Sequence, residues 1–326
     1  MKDRVRRIAD TVLYEGYVLW PYRKSALKNQ RRWTFGGVFP AGWSAGHPDD
    51  PSELRAACLL ECGPDTTLDV RLRFLQVVER GLRRDGRPVE ELEAGGERHV
   101  AWEEATEREL AAELRPAALR APHVAAFDIP AGKQEEALAP GKAIVRRWGA
   151  LRGELEVAAS PVAGGVVRLD VVVRNATEWS GGNREATLRQ ALCSTHVVLH
   201  ADGGAFASAA DPPEELREAA AACEQRGLWP ALAGEEGDPS TMLCAPIILP
   251  DHPEIAPESP GDLFDATEID QLLVLSILSL TEEERQEMRA ADPRTREILE
   301  RTEGLSREEL MRLHGTIREL GMVRRP

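Results

Sequence analysis

Polar and apolar positions alternate most cleanly between Leu68 and Val77, LDVRLRFLQV. Leu68, Val70, Leu72 and Phe74 fall on one side, and Asp69, Arg71 and Arg73 on the other. A period of two marks a half-buried strand, with the first set toward a core and the second toward water. The apolar run RAACLLEC (55–62) precedes it, and GPDT (63–66) has turn chemistry, so the two runs are predicted to pair as a hairpin. Further strands are predicted at 11–20, 33–39, 99–103, 123–130 and within 142–161. Residues 166–175 form another, entered through a turn at Gly164-Gly165; 194–201 ends at Asp202-Gly203-Gly204, and 241–249 is the last.

Three helices are predicted among the strands. EEATERELAAEL (103–114) is rich in helix formers and stopped by Pro116, 183–192 is short and amphipathic, and 212–227 opens on proline and ends on Gly227. Residues 78–95 and 228–240 read as polar connections. After about residue 258 the pattern changes from strand to helix, with helices predicted at 266–279, 282–290, 293–302 and 307–320. Their starts carry capping-box spacing at Asp265/Glu268, Thr281/Glu284 and Ser306/Glu309, and Asp292-Pro293 suits N-cap and first turn. The predicted architecture is α+β: a β-rich, sandwich-like core over 1–258 with a helical C-terminal segment, 259–326, packed on it.

Composition narrows the class. In 326 residues, 42% hydrophobic content can build a substantial core. A mean hydropathy of −0.35, with no apolar run near ~18 residues, predicts no membrane span. The N-terminus has no apolar leader region, so a cytoplasmic location is expected. Five widely spaced cysteines, Cys58, Cys62, Cys193, Cys223 and Cys244, suit reduced thiols better than a disulfide framework.

The net charge of −14 is uneven. Residues 1–34 hold nine Lys and Arg against Asp3, Asp10 and Glu15, a local +6 that leaves −20 on the remainder. So negative a body is not expected to bind nucleic acid. Trp20, Tyr22, Arg23, Lys24, Arg31, Arg32 and Trp33 form a basic-aromatic stretch of the residue types enriched at interaction hot spots, and are expected to contact a protein partner.

The densest cluster of potential ligands lies in CAPIILPDHPEIAPESPGDLFDATEID (244–270). Asp251, His252, Glu254 and Asp262 are the candidates there for a divalent metal, although prolines, turns and a helix cap explain the same composition. His196 and His200 share a predicted strand, where a four-residue spacing spans roughly 13 Å, too far for one ion. No signature of nucleophilic catalysis, dinucleotide binding or a P-loop is recognised, which favours a non-catalytic role.

Two stretches, DTVLYEGYVLWPYRKSALKNQRRWTFGG (10–37) and PIILPDHPEIAPESPGDLFDATEID (246–270), resemble an uncharacterised protein family encoded in gene clusters of NiFe-hydrogenases of the high-affinity uptake type. RLRFLQ (71–76) and THVVLH (195–200) look similar too, so the resemblance covers most of the chain. It carries no active-site residue over. It implies an accessory protein assisting hydrogenase assembly or maturation through a hydrogenase subunit or maturation factor. The alternative is a metal-dependent enzyme or metal carrier using the 251–268 loop.

Overall fold

A computed structural model describes residues 3–14, 35–119, 121–254, 277–291 and 293–306. The basic-aromatic residues 20–33 and Asp262 lie outside these, as do the predicted helix 307–320 and most of 266–279. Helix α1 (Asp3–Tyr14) opens the chain and buries Val5, Ile8, Ala9, Val12 and Leu13. Residues 11–14 of the strand expected over 11–20 are thus helical, and its remainder lies outside the described residues; the 3.6-residue spacing of these apolar positions outweighs the β-branched content of Thr11 and Val12. Helix α2 (Ala41–Ser44) follows a single bridge between Val38 and Leu192, where a strand over 33–39 was expected.

The predicted hairpin is instead one strand. β1 (Glu53–Arg84) runs 32 residues without reversing. β11 (Cys193–Phe206) accompanies it on both sides of GPDT, with a register break between Cys62 and Thr67. The turn residues therefore make a bulge, which bends the strand without turning it back. Thr66 holds it, accepting from Gly63 N at 2.9 Å and donating to Gly203 O at 2.7 Å. β11 runs straight through Asp202-Gly203-Gly204.

Beyond β1 come β2 (Arg87–Val89), the small pair β3 (Glu91–Ala94) and β4 (Glu97–Val100), and β5 (Trp102–Leu114). β5 overturns the helix predicted at 103–114. It aligns antiparallel with Leu68–Arg80, putting Leu110, Ala112 and Leu114 toward the main core and its glutamates beside arginines. That pairing outweighs helix propensity, which is a weak prior.

β6 (His123–Ile129), β7 (Gly132–Ala139), β8 (Lys142–Trp148), β9 (Leu151–Ala163) and β10 (Val166–Asn175) follow. Asn183 caps the short α3 (Arg184–Leu188) through Ala186 N. The helix predicted over 212–227 shrinks to α4 (Arg217–Ala221) after one 3-10 turn, and the expected loop after it contains β12 (Trp229–Leu232). β13 (Thr241–Ala245) ends the sheet region.

The large sheet runs β12-β13-β11-β1-β10-β9-β6 and folds over at the bend in β1. β10 pairs with residues 53–61, before the bend, and β5 with 68–80, after it. The two limbs enclose the core as a sandwich, in which Leu68, Val70, Leu72 and Phe74 are buried as expected. Phe74 meets Phe127 of β6 with ring centroids 5.4 Å apart. A Cβ on Gly153 would come within 2.3 Å of Phe127, so only glycine admits this crossing.

Odd-numbered positions of β1 are covered as well. Leu75 and Val77 pack with Leu13, Phe39, Trp43, Ile277, Met288 and Ile298. Helices α5 (Glu282–Ala291) and α6 (Pro293–Glu303) thus join the sheet in one apolar cluster. Thr281 and Glu284 cap α5 reciprocally, with Glu284 accepting from Thr281 N at 2.9 Å and Thr281 Oγ1 accepting from Glu284 N at 3.3 Å. Arg73, expected to face water, is buried with its guanidinium on Asp10 at 2.6 Å. No helix among the described residues is long and apolar enough to cross a membrane.

Candidate functional site

β11 leaves the edge of β1 near Leu59, where Ala207 N donates to Leu59 O. No strand replaces it along residues 55–57. Arg226 exchanges both backbone hydrogen bonds with Arg55 at 2.8 Å. The Gln225 amide then takes the place of a strand residue, accepting from Ala57 N at 3.1 Å and donating to Ala57 O at 2.6 Å. Gly227, at φ +70°, lets the chain turn there against Leu54. These irregular contacts leave a cleft of about 260 Å³ between β1, α4 and β12.

Small side chains hollow it out: Ala57, Ala207, Ala209, Ala210 and Ala220. Cys58, Leu59, Cys223 and Leu249 add apolar surface, and Trp229 and Ile248 stand at its edge with 36% and 78% of their surface exposed. Burial pushes the Cys58 thiol well up, and neighbouring Cys244 and Cys223 push it further. Burial also raises Cys223, so both thiols at the cleft are neutral and poor nucleophiles. All five cysteines are free.

Asp251 fastens one wall. It accepts from Ser208 Oγ at 2.5 Å and from Leu232 N at 2.7 Å. His252, at φ +53°, donates its backbone N–H to Leu232 O at 2.6 Å and lies with Nδ1 3.0 Å from Gly234 O. Glu254 turns away to Arg4 at 3.1 Å. Asp251 and His252 thus brace β12, the end strand of the sheet, through Leu232, while Glu254 is drawn to α1. Among the described residues, no group of three or more His, Cys, Asp and Glu is placed to hold a metal ion.

His196 and His200 share one face of β11 but have separate surroundings. His196 is fully buried, with Nδ1 3.1 Å from Ser194 O, while His200 Nδ1 lies 2.9 Å from Thr241 Oγ1.

One motif was overlooked at the level of sequence. Gly42-Trp43-Ser44-Ala45-Gly46 has the GxSxG form, with His47 and Asp50 close behind. The geometry does not make it a nucleophile elbow. Ser44 has no positive φ, and its hydroxyl donates to Pro40 O at 3.3 Å. The His47 ring stacks flat on Trp43 at 3.5 Å, with Nδ1 3.0 Å from Trp43 O. Asp50 is taken by Trp43 Nε1 at 2.9 Å and by a two-pronged contact from Arg184 at 2.9 and 3.1 Å. Serine, imidazole and carboxylate therefore do not form a relay; Ser44 and His47 bond within the segment, and Asp50 ties it to α3 through Arg184.

The cleft itself carried little advance signal beyond the alanine-rich runs 207–210 and 219–222. No protein-family model matches the chain, and no curated protein sequence matches it.

Proposed function

We propose that this chain is a non-catalytic accessory protein that assists assembly or maturation of a NiFe-hydrogenase by protein–protein contact, with the cleft as part of its contact surface. The observation that carries the reading is an open, mainly apolar cleft, edged by Trp229 and Ile248, whose Gln225 and Ser208 side chains are already engaged. The Gln225 amide serves Ala57, Ser208 serves Asp251, and the thiols are protonated. Such a site offers burial and shape without an activated acid, base or nucleophile, which is the chemistry of recognition. The hydrogenase setting rests on the family resemblance.

The test is a pull-down with tagged protein from cells producing the associated hydrogenase, comparing wild type with a Trp229→Ser, Ile248→Ser double variant. Hydrogenase components should be retained by the first and lost by the second. Equal recovery would remove the cleft from the contact surface. Recovery by neither would reject the hydrogenase reading.

A further inference from the structure

Beside the cleft lies a negative rim that no salt bridge among the described residues balances. The segment that supplies Ala220 and Cys223 also carries Asp211, Glu214, Glu215, Glu218 and Glu224, against only Arg217 and Arg226. All five acidic residues are exposed, and among the described residues none has a salt-bridge partner. Elsewhere some carboxylates are matched, Glu53 and Glu156 by Arg174, Glu104 and Glu136 by Arg146, Glu103 by Arg189, and others on the surface, such as Glu61, Asp65 and Glu113, have no such partner among the described residues. The rim is set apart by their density, five unmatched carboxylates between Asp211 and Glu224, next to the cleft.

We infer that cleft and rim together dock a basic segment of a partner protein, which sets one large uncharged apolar side chain in the cleft and Lys or Arg along the rim. This rests on the cleft being the contact surface proposed above. Three observations select that chemistry. A cavity of about 150 Å³ holds a benzene-sized group, so about 260 Å³ suits one large side chain rather than a row of them. Gln225 and Ser208 are already engaged and the lining is mainly apolar, so the cleft favours an apolar side chain over a charge or an unpaired amide. The unmatched carboxylates repel an acidic segment and attract a basic one, and the overall charge of −14 extends that preference to the approach. One buried side chain alone supports only weak binding, so the rim supplies both orientation and much of the affinity.

The experiment measures fluorescence polarisation of labelled synthetic peptides with the full chain. One peptide has a central Leu between runs of Lys, a second has Ala in place of Leu, and a third has Glu in place of every Lys. The Lys–Leu–Lys peptide should bind, the Ala peptide about tenfold more weakly, and the Glu peptide not measurably. Raising salt from about 50 mM to about 500 mM should weaken binding roughly tenfold, and Glu214→Gln, Glu215→Gln, Glu218→Gln together should remove most of that dependence. Trp229→Ser with Ile248→Ser should erase the preference for Leu over Ala and keep the salt dependence. Both sets change exposed side chains, so the fold should survive them.

Equal binding of the Lys and Glu peptides would overturn the inference, as would equal binding of the Leu and Ala peptides, which would mark a plain polyanionic surface. No binding by the full chain would also overturn it, because the cleft would then be closed to a partner. Peptide binding without capture of hydrogenase would keep this inference and reject the partner's proposed identity; capture without peptide binding would do the reverse.

Discussion

Arg73 and His196 face one another across β1 and β11, beneath α1. Arg73 is 2% exposed and pairs with Asp10 at 2.6 Å and with Glu107 and Glu109 at 3.6 Å. Among the described residues, its Nη1 and the Nε2 of His196 have no hydrogen-bond partner. Burial lowers the His196 pKa from 6.5 to about 3, opposed in part by the hydrogen bond with the Ser194 carbonyl and reinforced to a lesser degree by Arg73. The unfolded chain therefore takes up a proton below pH 6.5 that the folded chain refuses, so this contribution to stability is complete above pH 6.5 and is lost as pH falls toward 3. Urea unfolding at pH ~7.5 and ~4.5 should show His196→Asn losing roughly 2–3 kcal/mol less on acidification than wild type. Arg73→Met removes the smaller lowering cause and leaves burial in place. NMR titration should then find His196 above its wild-type pKa and still below 6.5.

Among the elements, β1 was legible in its faces and illegible in its length. Leu68, Val70, Leu72 and Phe74 announced their side through strict alternation, because a period of two follows from pleat geometry alone. The bulge at 63–66 was misread because glycine, proline and aspartate serve a bend as well as a reversal. Only the distant partner β11, continuing past both halves, decides between them. β5 failed in the same way: its local preference is helical, and the arginines that make it a strand lie elsewhere in the chain. The alternation of Leu110, Ala112 and Leu114 was present all the same. The cap at Thr281/Glu284 was readable because it is a contact over three residues. The cleft was not, since Gln225 reaches Ala57 across 168 positions. Leu72→Asp should cost about 3–5 kcal/mol in urea unfolding, the penalty of an unpaired buried charge. Asp251→Ala strips Leu232 N and Ser208 of their acceptor, and should lower stability by about 1–3 kcal/mol. It should also speed proteolysis near residues 248–252.

At the scale of the molecule, α5 and α6 are part of the wall over β1. Met288, Ile298 and Leu299 are fully buried with Leu75 and Val77. Ending the chain at residue 276 would expose that face to water, which a monomeric surface tolerates poorly. The shortened protein should melt at lower temperature and bind more of a hydrophobic dye than the full chain; equal melting would place the helices outside the cooperative unit.

β1 also governs when the protein can fold. Residues 53–84 are made early, yet every long partner of the strand lies downstream, and its packing reaches as far as Ile298 and Leu299. While the ribosome advances toward β10 and β11, this apolar ribbon has no completed ladder to close on. Loops must shut over 137 residues, from Thr66 to Gly203, and 168 residues, from Ala57 to Gln225, before the core exists. Chains dominated by such distant pairings cross their barrier slowly, and their unpaired edges invite association with other chains in the interval. Recovery from dilute denaturant should therefore be slow and strongly concentration-dependent, and synthesis in cells should depend on whatever holds the ribbon apart until β13 has emerged.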